Sequence, residues 1–301
     1  MDEMNVQTVE TTEPVNLKRF QDGKKWRTFS RVLQSVIVVI GIIIILFPIL
    51  WMIPTAFKTR RELYSLPTTI IPVNPSTINF ERVFTHTLNG FNYPSTLFWT
   101  LVVSLVSVAL GLAITMVAAY AFARLEFRGK SVLWWYLIIT MFIPGISIQL
   151  TSIRVVSLLG LTDTIWVLIL PGLAGGYGIF FFRQFFLGLP ASLEEAAMID
   201  GCPVFQIFLK IFVPMSLTPV IIIATRSFTG HWNSYMWPTL TIINNPDIAQ
   251  VMQVIRMLHT SFSGDYGVVI AATIIATIIP LTLYAIFQRQ IVAGIAISGL
   301  K

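Results

Sequence analysis

Long apolar runs separated by short polar stretches account for most of the chain. Five of the runs contain no Asp, Glu, Lys or Arg. Each is about 20 residues long or longer, the length that a helix needs to cross a hydrocarbon core of about 30 Å. The runs therefore predict five transmembrane helices, at residues 33–53, 97–123, 131–153, 164–182 and 266–287.

One more span, the fifth in chain order, is predicted over residues 211–232, where the apolar pattern is interrupted. Pro214 and Pro219 lack the amide hydrogen that a helical hydrogen bond requires, so they predict breaks in this helix. Arg226 lies inside the same run. We expect its side chain to extend to the nearer membrane surface or to form an ion pair outside the membrane.

Prolines and small residues predict how the other spans bend and pack. Pro144 and Pro171 predict bends in the third and fourth spans. The second and fourth spans are rich in Ala and Gly, which let helices approach closely in lipid. We expect these residues to pack helices within the chain, with contact to a second membrane subunit as the alternative. The predicted fold is an all-α membrane protein with an N-terminal tail (1–31), a six-helix transmembrane domain (32–288) that contains a polar loop (183–210), and a C-terminal tail (289–301).

Composition and charge agree with this fold. Only 11% of the 301 residues are charged, against about 25% in soluble proteins. The net charge of +6 arises from Lys and Arg concentrated in alternate polar segments, as expected for segments on the cytoplasmic side. This distribution fits membrane topology better than nucleic-acid binding, and it places both termini and loop 183–210 in the cytoplasm. The first apolar run is long and lacks a small-residue cleavage site, so we expect it to remain as an anchor.

Candidate chemistry is sparse. The three histidines are scattered, and the single cysteine, Cys202, excludes an intramolecular disulfide or a thiolate cluster for a metal. The spans contain no Asp or Glu, which disfavours a proton-coupled carrier, and no inverted repeat is evident. The sequence therefore predicts neither an enzyme nor a cofactor bound by this chain. A transporter subunit and a non-transporting scaffold or sensor that recruits a cytosolic enzyme remain open.

One polar stretch, ASLEEAAMIDGCPVFQIFLKIFVP at 191–214, separates two apolar runs. Ser192 and Glu195 have the spacing of a capping box, which predicts a helix that begins at Leu193. Gly201 predicts its end, and Pro203 can open a second helix directly afterwards. A helix of about two turns is too short to be stable alone, so something must hold it.

Two interpretations of this helix remain open. It could pack on the chain's own loops at the membrane surface through Leu193 and the Ala, Met and Ile residues that follow. It could instead be a docking surface for a soluble partner, with Glu194, Glu195 and Asp200 facing outward. The acidic residues argue against direct contact with an anionic leaflet.

The same stretch resembles the EAA loop of ABC importer permeases. The match rests on the spacing of Glu195, Ala196, Ala197, Gly201 and Pro214, with Val213 where a Leu is usual. Further segments resemble the carbohydrate-importer branch of the family, the MalG-like subunits of maltose transporters: AYAFARLEFRGK at 119–130, HWNSYMWPT at 231–239 and QRQIVAGIAISGLK at 288–301.

The resemblance implies a type I importer permease that forms half of a pathway for a sugar or oligosaccharide. Its partners would be a second, different permease subunit, two cytoplasmic ATPase subunits that bind ATP and Mg, and an external solute-binding protein. The location would be a bacterial or archaeal cytoplasmic membrane. Another importer branch or an exporter is the nearest alternative. By this resemblance the helix that begins at Leu193 would be the coupling helix, which contacts an ATPase through Glu194, Glu195, Ala196, Ala197, Asp200 and Gly201. Residues 289–301 would either insert between the ATPases or fray at the membrane.

Candidate solute contacts come from residue chemistry. Sugar sites stack aromatic rings on apolar sugar faces and bind the hydroxyls with polar groups. Trp232, Asn233 and Tyr235 near the end of the fifth span, and Gln149 in the third, fit that description. The alternatives are an interfacial aromatic belt for Trp232 and for Trp237, and helix packing for Gln149.

Overall fold

A computed structural model describes the backbone of residues 17–85, 90–261 and 265–298, with side chains for 29–85, 90–261 and 265–292. The described parts are nearly all helical, and the chain divides into two units, Met1–Ile53 and Pro54–Lys301. The helices are α1 (Leu17–Ala56), α2 (Arg60–Leu63), α3 (Ile78–Thr85), α4 (Tyr93–Arg124), α5 (Lys130–Thr140), α6 (Gly145–Leu158), α7 (Ile165–Ile169), α8 (Gly176–Leu187), α9 (Ala191–Ile199), α10 (Val204–Ile207), α11 (Val213–Met215), α12 (Leu217–Trp232), α13 (Met236–Thr241), α14 (Val251–Ser261) and α15 (Tyr266–Ser298). Short 3₁₀ turns cover Leu170–Gly172 and Pro246–Ile248, and Phe208–Phe212 is π-helical.

Among the residues that the structure describes, three unbroken helices are long and apolar enough to cross a membrane. They are Phe29–Ala56, Tyr93–Arg124 and Tyr266–Val292, which contain the first, second and sixth predicted spans. Helix α1 begins at Leu17, inside the predicted N-terminal tail, and residues 1–16 of that tail lie outside the described residues.

The other three predicted spans are bent pairs of helices. Lys130–Thr140 and Gly145–Leu158 meet at 106°, Ile165–Gly172 and Gly176–Leu187 at 43°, and Val204–Met215 and Leu217–Trp232 at 77°. The bends expected at Pro144 and Pro171 are confirmed, and the fifth span breaks just after Pro214. The break expected at Pro219 is a wrong prediction, because this proline lies in the first turn of α12, where its missing amide hydrogen removes no helical hydrogen bond. Counting each pair as one span gives up to six.

The breaks follow from local chemistry. Pro144 directly precedes α6 and cannot donate a hydrogen bond back into α5. In the fourth span Pro171 lies in the 3₁₀ turn, and Gly175 precedes α8. In the fifth, Pro214 lies two residues before Ser216, the N-cap residue of α12. Proline removes helical hydrogen bonds and glycine adds backbone freedom, so each span breaks where those residues concentrate.

Helix α4 packs closely on α8 and α12. A Cβ atom added at Gly178 would lie 2.8 Å from Cγ2 of Thr115, and one added at Gly111 would lie 3.2 Å from the carbonyl oxygen of Leu173. Packing of the small residues within the chain is therefore confirmed at these two positions. Because lipid supplies no hydrophobic drive between helices, this close fit is a main source of their association.

The end of the spans opposite α9 is fixed by polar contacts. Helix α3 contains Glu81 and Arg82. Arg82 Nη1 lies 2.7 Å from Oδ2 of Asp265, which directly precedes α15. Asn79 Nδ2 donates to the carbonyl oxygens of Ala56 at 2.7 Å and Lys58 at 2.8 Å. These bonds hold α3 against the segments on either side of it.

Candidate functional site

Helix α9 forms the centre of the polar loop and begins two residues earlier than expected. Pro190 is its N-cap residue, with φ −59° and ψ 129°, and no side chain caps the first turn. The capping box of Ser192 and Glu195 is therefore a wrong prediction, because both residues already lie inside the helix. The predicted end is confirmed: Gly201 has φ +78°, a left-handed conformation that glycine adopts at little cost. Pro203 then leads directly into α10.

Glu194 anchors α9 to the end of α4. Its side chain is buried, and its Oε1 accepts a 3.1 Å hydrogen bond from the hydroxyl of Tyr120. Its Oε2 lies 3.6 Å from Nε of Arg124, whose Nη2 also donates to the carbonyl oxygens of Phe186 at 2.8 Å and Leu189 at 2.6 Å. The expectation that Glu194 faces outward is wrong, because its carboxylate is paired inside the chain. One arginine thus ties together α4, the end of α8 and α9.

The rest of α9 is largely open. Glu195 and Asp200 are exposed, as predicted, and Met198 and Ile199 are exposed beside them, Ile199 by 86%. The apolar residues were expected to supply the packed side, but in α9 only Glu194 and Ala197 are buried. The helix therefore packs on its own chain along one narrow face and presents a wider acidic and apolar face.

An aromatic cluster lies where α9 meets the spans. The ring centroid of Tyr120 lies 4.9 Å from that of Phe212 and 5.2 Å from that of Phe208, and Phe186 lies 5.4 Å from Phe212. These residues come from α4, α8 and the π-helical segment after α10, and all four are buried. Close packing of these rings therefore connects the segment around α9 with three spans.

Tyr120 and Arg124 were not predicted from the sequence as partners of α9. Both lie within the stretch AYAFARLEFRGK, which resembles the carbohydrate-importer branch. A signal was available, because Arg124 comes at the end of a long uncharged run and needs a carboxylate or carbonyl groups nearby. The hydropathy pattern does not show which acidic residue Arg124 contacts, because its partner Glu194 lies 70 residues further along the chain.

A cavity of about 650 Å³ lies between the bent spans. The residues that line it come from α4, from the segments around the breaks of the third and fourth spans, from α12 and from the stretch after it. Four glycines line the cavity, at positions 145, 172, 175 and 230. The polar side chains in the lining are Gln149, Ser152, Tyr177, Arg226, Ser227, His231, Ser234 and Gln250.

The four residues predicted to contact the solute lie in different environments in the structure. Gln149 lines the cavity. Trp232 is fully buried, donates from Nε1 to the carbonyl oxygen of Ala276 at 3.1 Å and stacks on Phe228, so it is a core residue. Neither a solute contact nor a membrane-surface position fits Trp232. Asn233 and Tyr235 are exposed outside the cavity lining, beyond the end of α12.

Trp237, predicted as a belt residue, lines the cavity and donates from Nε1 to the carbonyl oxygen of Val167 at 2.9 Å. Arg226 lies in the lining too, with its Cζ atom 4.6 Å from the ring centroid of Tyr177. None of the three ion pairs among the described residues involves Arg226, so the expected external ion pair is not formed within them.

Within the described ranges, no three His, Cys, Asp or Glu side chains come close enough to share a metal ion. Cys202 is a free thiol, half-buried just after α9.

Residues 111–297 match the family described as binding-protein-dependent transport system inner membrane component. The chain belongs to this family. It is 32% identical to the arabinooligosaccharides transport system permease protein AraQ of Halalkalibacterium halodurans, over 86% of this chain and 92% of that protein. It is 29% identical to the sn-glycerol-3-phosphate transport system permease protein UgpE of Escherichia coli, over 92% of this chain and 99% of that protein.

Solved structures share the permease fold. One is a bacterial ABC transporter involved in the import of the acidic polysaccharide alginate, with a TM-score of 0.76 and 21% identity over 87% of this chain and 96% of that chain. A second is a bacterial alginate ABC transporter in complex with an alginate pentasaccharide-bound periplasmic protein, with a TM-score of 0.61 and 14% identity over 90% and 98%. The resemblance to importer permeases is therefore confirmed. The chain is a membrane subunit of a transporter and not an enzyme.

Proposed function

We propose that this permease forms half of an ATP-driven import pathway for a sugar or a related polyol. Relatives named for arabinooligosaccharide and glycerol-3-phosphate transport support this class of solute. The cavity supports it as well, because its lining combines an indole with several amide and hydroxyl groups, which is how proteins bind polyhydroxylated ligands. A second, different permease would complete the pathway, and an external solute-binding protein would deliver the solute.

The coupling role of α9 is carried by one observation: Glu194 is buried against Arg124 and Tyr120 while Glu195 beside it is exposed. A helix held firmly on one face and open on the other can act as a lever between a soluble partner and the spans. We assign Glu195, Ala196, Asp200 and Gly201 to contact with a cytoplasmic ATPase, and Glu194 and Ala197 to anchoring the helix. ATP and Mg would bind the two ATPase subunits, whose closure would move α9 and reorient the spans.

This assignment implies an orientation in a bacterial or archaeal cytoplasmic membrane. Loop 183–210 and both tails, 1–31 and 289–301, would face the cytoplasm, in agreement with the positions of Lys and Arg. The helix α15 continues to Ser298, so most of the C-terminal tail prolongs the sixth span. That extension would bring the end of the chain toward the ATPases.

Purification of the tagged chain in mild detergent tests the proposal. We expect a second permease subunit and two copies of an ATPase to be retained. Glu195→Lys should reduce ATPase retention without loss of the second permease, because the exposed carboxylate belongs to the docking face. Glu126→Lys makes the same charge change at the same end of the spans, on a side chain that is 89% exposed, and serves as the matched control.

Cys202 allows a second test, since it is the single cysteine of the chain. A Cys202→Ser background with Met198→Cys places one thiol on the exposed face of α9. We expect maleimide to label it from the cytoplasmic side and the bound ATPase to protect it. In the purification, retention of a kinase, or of no ATPase at all, would favour a scaffold or sensor and would contradict the importer proposal.

A further inference from the structure

Arg226 lies in the wall of the cavity, about two-thirds of the way along α12, within a predicted transmembrane span. A charged side chain at such a depth is costly and is usually turned toward protein or water. Here the guanidinium is positioned over the ring of Tyr177, which also lines the cavity. A cation over the face of a tyrosine is attracted by the ring, and this contact holds Arg226 toward the cavity instead of toward the membrane surface.

The charge of Arg226 is not balanced within the described residues. The acidic side chains in the described ion pairs are Asp265, Glu194 and Glu126, and none of them pairs with Arg226. The described residues that line the cavity include no Asp and no Glu. The stacked guanidinium makes no hydrogen bond to another described side chain or carbonyl, so its N–H groups remain available. A planar fork of such donors matches a carboxylate or a phosphate.

Neighbouring groups suit the polar remainder of such a ligand. Gln149, Ser227 and Ser234 contribute amide and hydroxyl groups to the same lining. Gln250 is 1% exposed, and its Oε1 has no hydrogen-bond partner among the described residues. A buried acceptor without a partner is unfavourable, and the hydroxyl of a bound solute can donate to it.

We propose that Arg226 binds an oxyanion of the transported solute, so that the cavity selects sugars or polyols that carry a carboxylate or a phosphate. This inference rests on the proposed import function and names its solute class. The rival arrangement is an acidic residue of the second permease subunit that pairs with Arg226 in the assembled importer. In that arrangement Arg226 would stabilise the complex and would not choose the solute.

The experiment uses the complete importer in cells that lack other uptake routes for three radiolabelled probes. The probes are digalacturonate as a carboxylated sugar, glycerol 3-phosphate as a phosphorylated polyol, and arabinotriose as a neutral sugar. Uptake and the amount of assembled complex are measured for the wild type, Arg226→Gln and Arg226→Lys. Arg154→Gln is the matched control, because it removes one positive charge at an exposed position on α6 outside the lining.

We expect ATP-dependent uptake of one of the two anionic probes by the wild type, and the probe that is taken up identifies the oxyanion. Arg226→Gln should lower that uptake about tenfold or more, the factor expected from one charge-assisted hydrogen bond. Arg226→Lys should retain part of it, since the charge remains but the planar fork is lost. Arg154→Gln should change uptake less than about twofold, as expected for an exposed charge outside the cavity lining.

Two results would overturn the inference while leaving the import function intact. One is ATP-dependent uptake of arabinotriose alone by the wild type. The other is a loss of assembled complex in Arg226→Gln, with unchanged uptake of the anionic probe per complex, which would indicate pairing with the second permease. Uptake that does not depend on the ATPases would contradict the proposed function itself.

Discussion

Glu194 and Glu195 are neighbours on α9, yet the carboxylate of Glu194 is paired with Arg124 inside the chain and that of Glu195 is exposed. The difference arises because consecutive helical residues point about 100° apart, so a helix lying on a surface can bury one and expose the other. The two glutamates therefore offer a matched pair of variants at adjacent positions.

Glu194→Gln and Glu195→Gln should affect different properties, the first mainly stability and the second mainly uptake. Loss of one partner of a buried ion pair costs about 3–5 kcal/mol when the remaining charge is uncompensated, and Arg124 keeps two carbonyl partners, so we expect the lower part of that range for Glu194→Gln. Glu195→Gln should change stability by less than about 0.5 kcal/mol and should lower ATP-driven uptake. Denaturant unfolding in detergent, together with uptake assays, measures both. Equal stability of the two variants would contradict the anchoring role of Glu194.

Gly201 should tolerate Asn better than Val. A Cβ atom at this position would meet no other atom within 4 Å, so the cost of substitution comes from the positive φ of +78° alone. A left-handed residue costs an ordinary side chain about 1–2 kcal/mol, and Asn less, because its short amide can bond locally. We expect Gly201→Asn to retain most uptake and Gly201→Val to lose more. Similar uptake by both would mean that the turn after α9 does not limit coupling.

Gly178→Ala should weaken the packing of α8 on α4, because its methyl group would lie 2.8 Å from Cγ2 of Thr115. Overpacking of this kind costs about 1–3 kcal/mol. Thr115→Ser removes the clashing methyl group, so the double variant should recover much of the lost thermal stability. Failure of the second substitution to rescue the first would show that another contact controls this interface.

Asp163 should give the end opposite α9 a dependence on acid pH. Its carboxylate accepts backbone hydrogen bonds from Ile243 at 2.5 Å and Asn244 at 2.8 Å. Partial burial raises the pKa of Asp163, but the hydrogen bonds from Asn244 and Ile243 outweigh burial and lower that pKa below its ordinary value of 3.8. The folded state thus favours the charged form, so this stabilisation is fully present above about pH 3.8 and is lost as the pH falls through the lower, folded-state pKa.

The matched variant is Asp163→Asn, which tolerates the φ of 58° but lacks the charge. We expect it to be less stable than the wild type in thermal unfolding at pH 6, with the difference shrinking as the pH falls below about 3.8. A difference that is constant with pH would mean that the charge of Asp163 does not contribute.

The positions of the spans were readable from the sequence because hydropathy over about 20 residues is a local property. Prolines located the bends for the same reason, but not their sizes, since 43° and 106° depend on what each half-helix packs against. The exposed side of α9 was misjudged because the partners of the Glu194 carboxylate, Tyr120 and Arg124, lie on a distant part of the sequence. Trp232 was mistaken for a solute contact because its hydrogen bond to Ala276 joins two residues that are 44 positions apart along the chain.

The glycines at the breaks bear on how this transporter can change over generations. Gly145, Gly172 and Gly175 line the cavity without side chains, so part of its wall is main chain. Peptide groups at the breaks can hydrate or bind hydroxyls whatever residues occupy the neighbouring positions. A cavity wall built partly from peptide groups therefore keeps these hydrogen-bonding groups when side chains such as Gln149 and Arg226 are replaced.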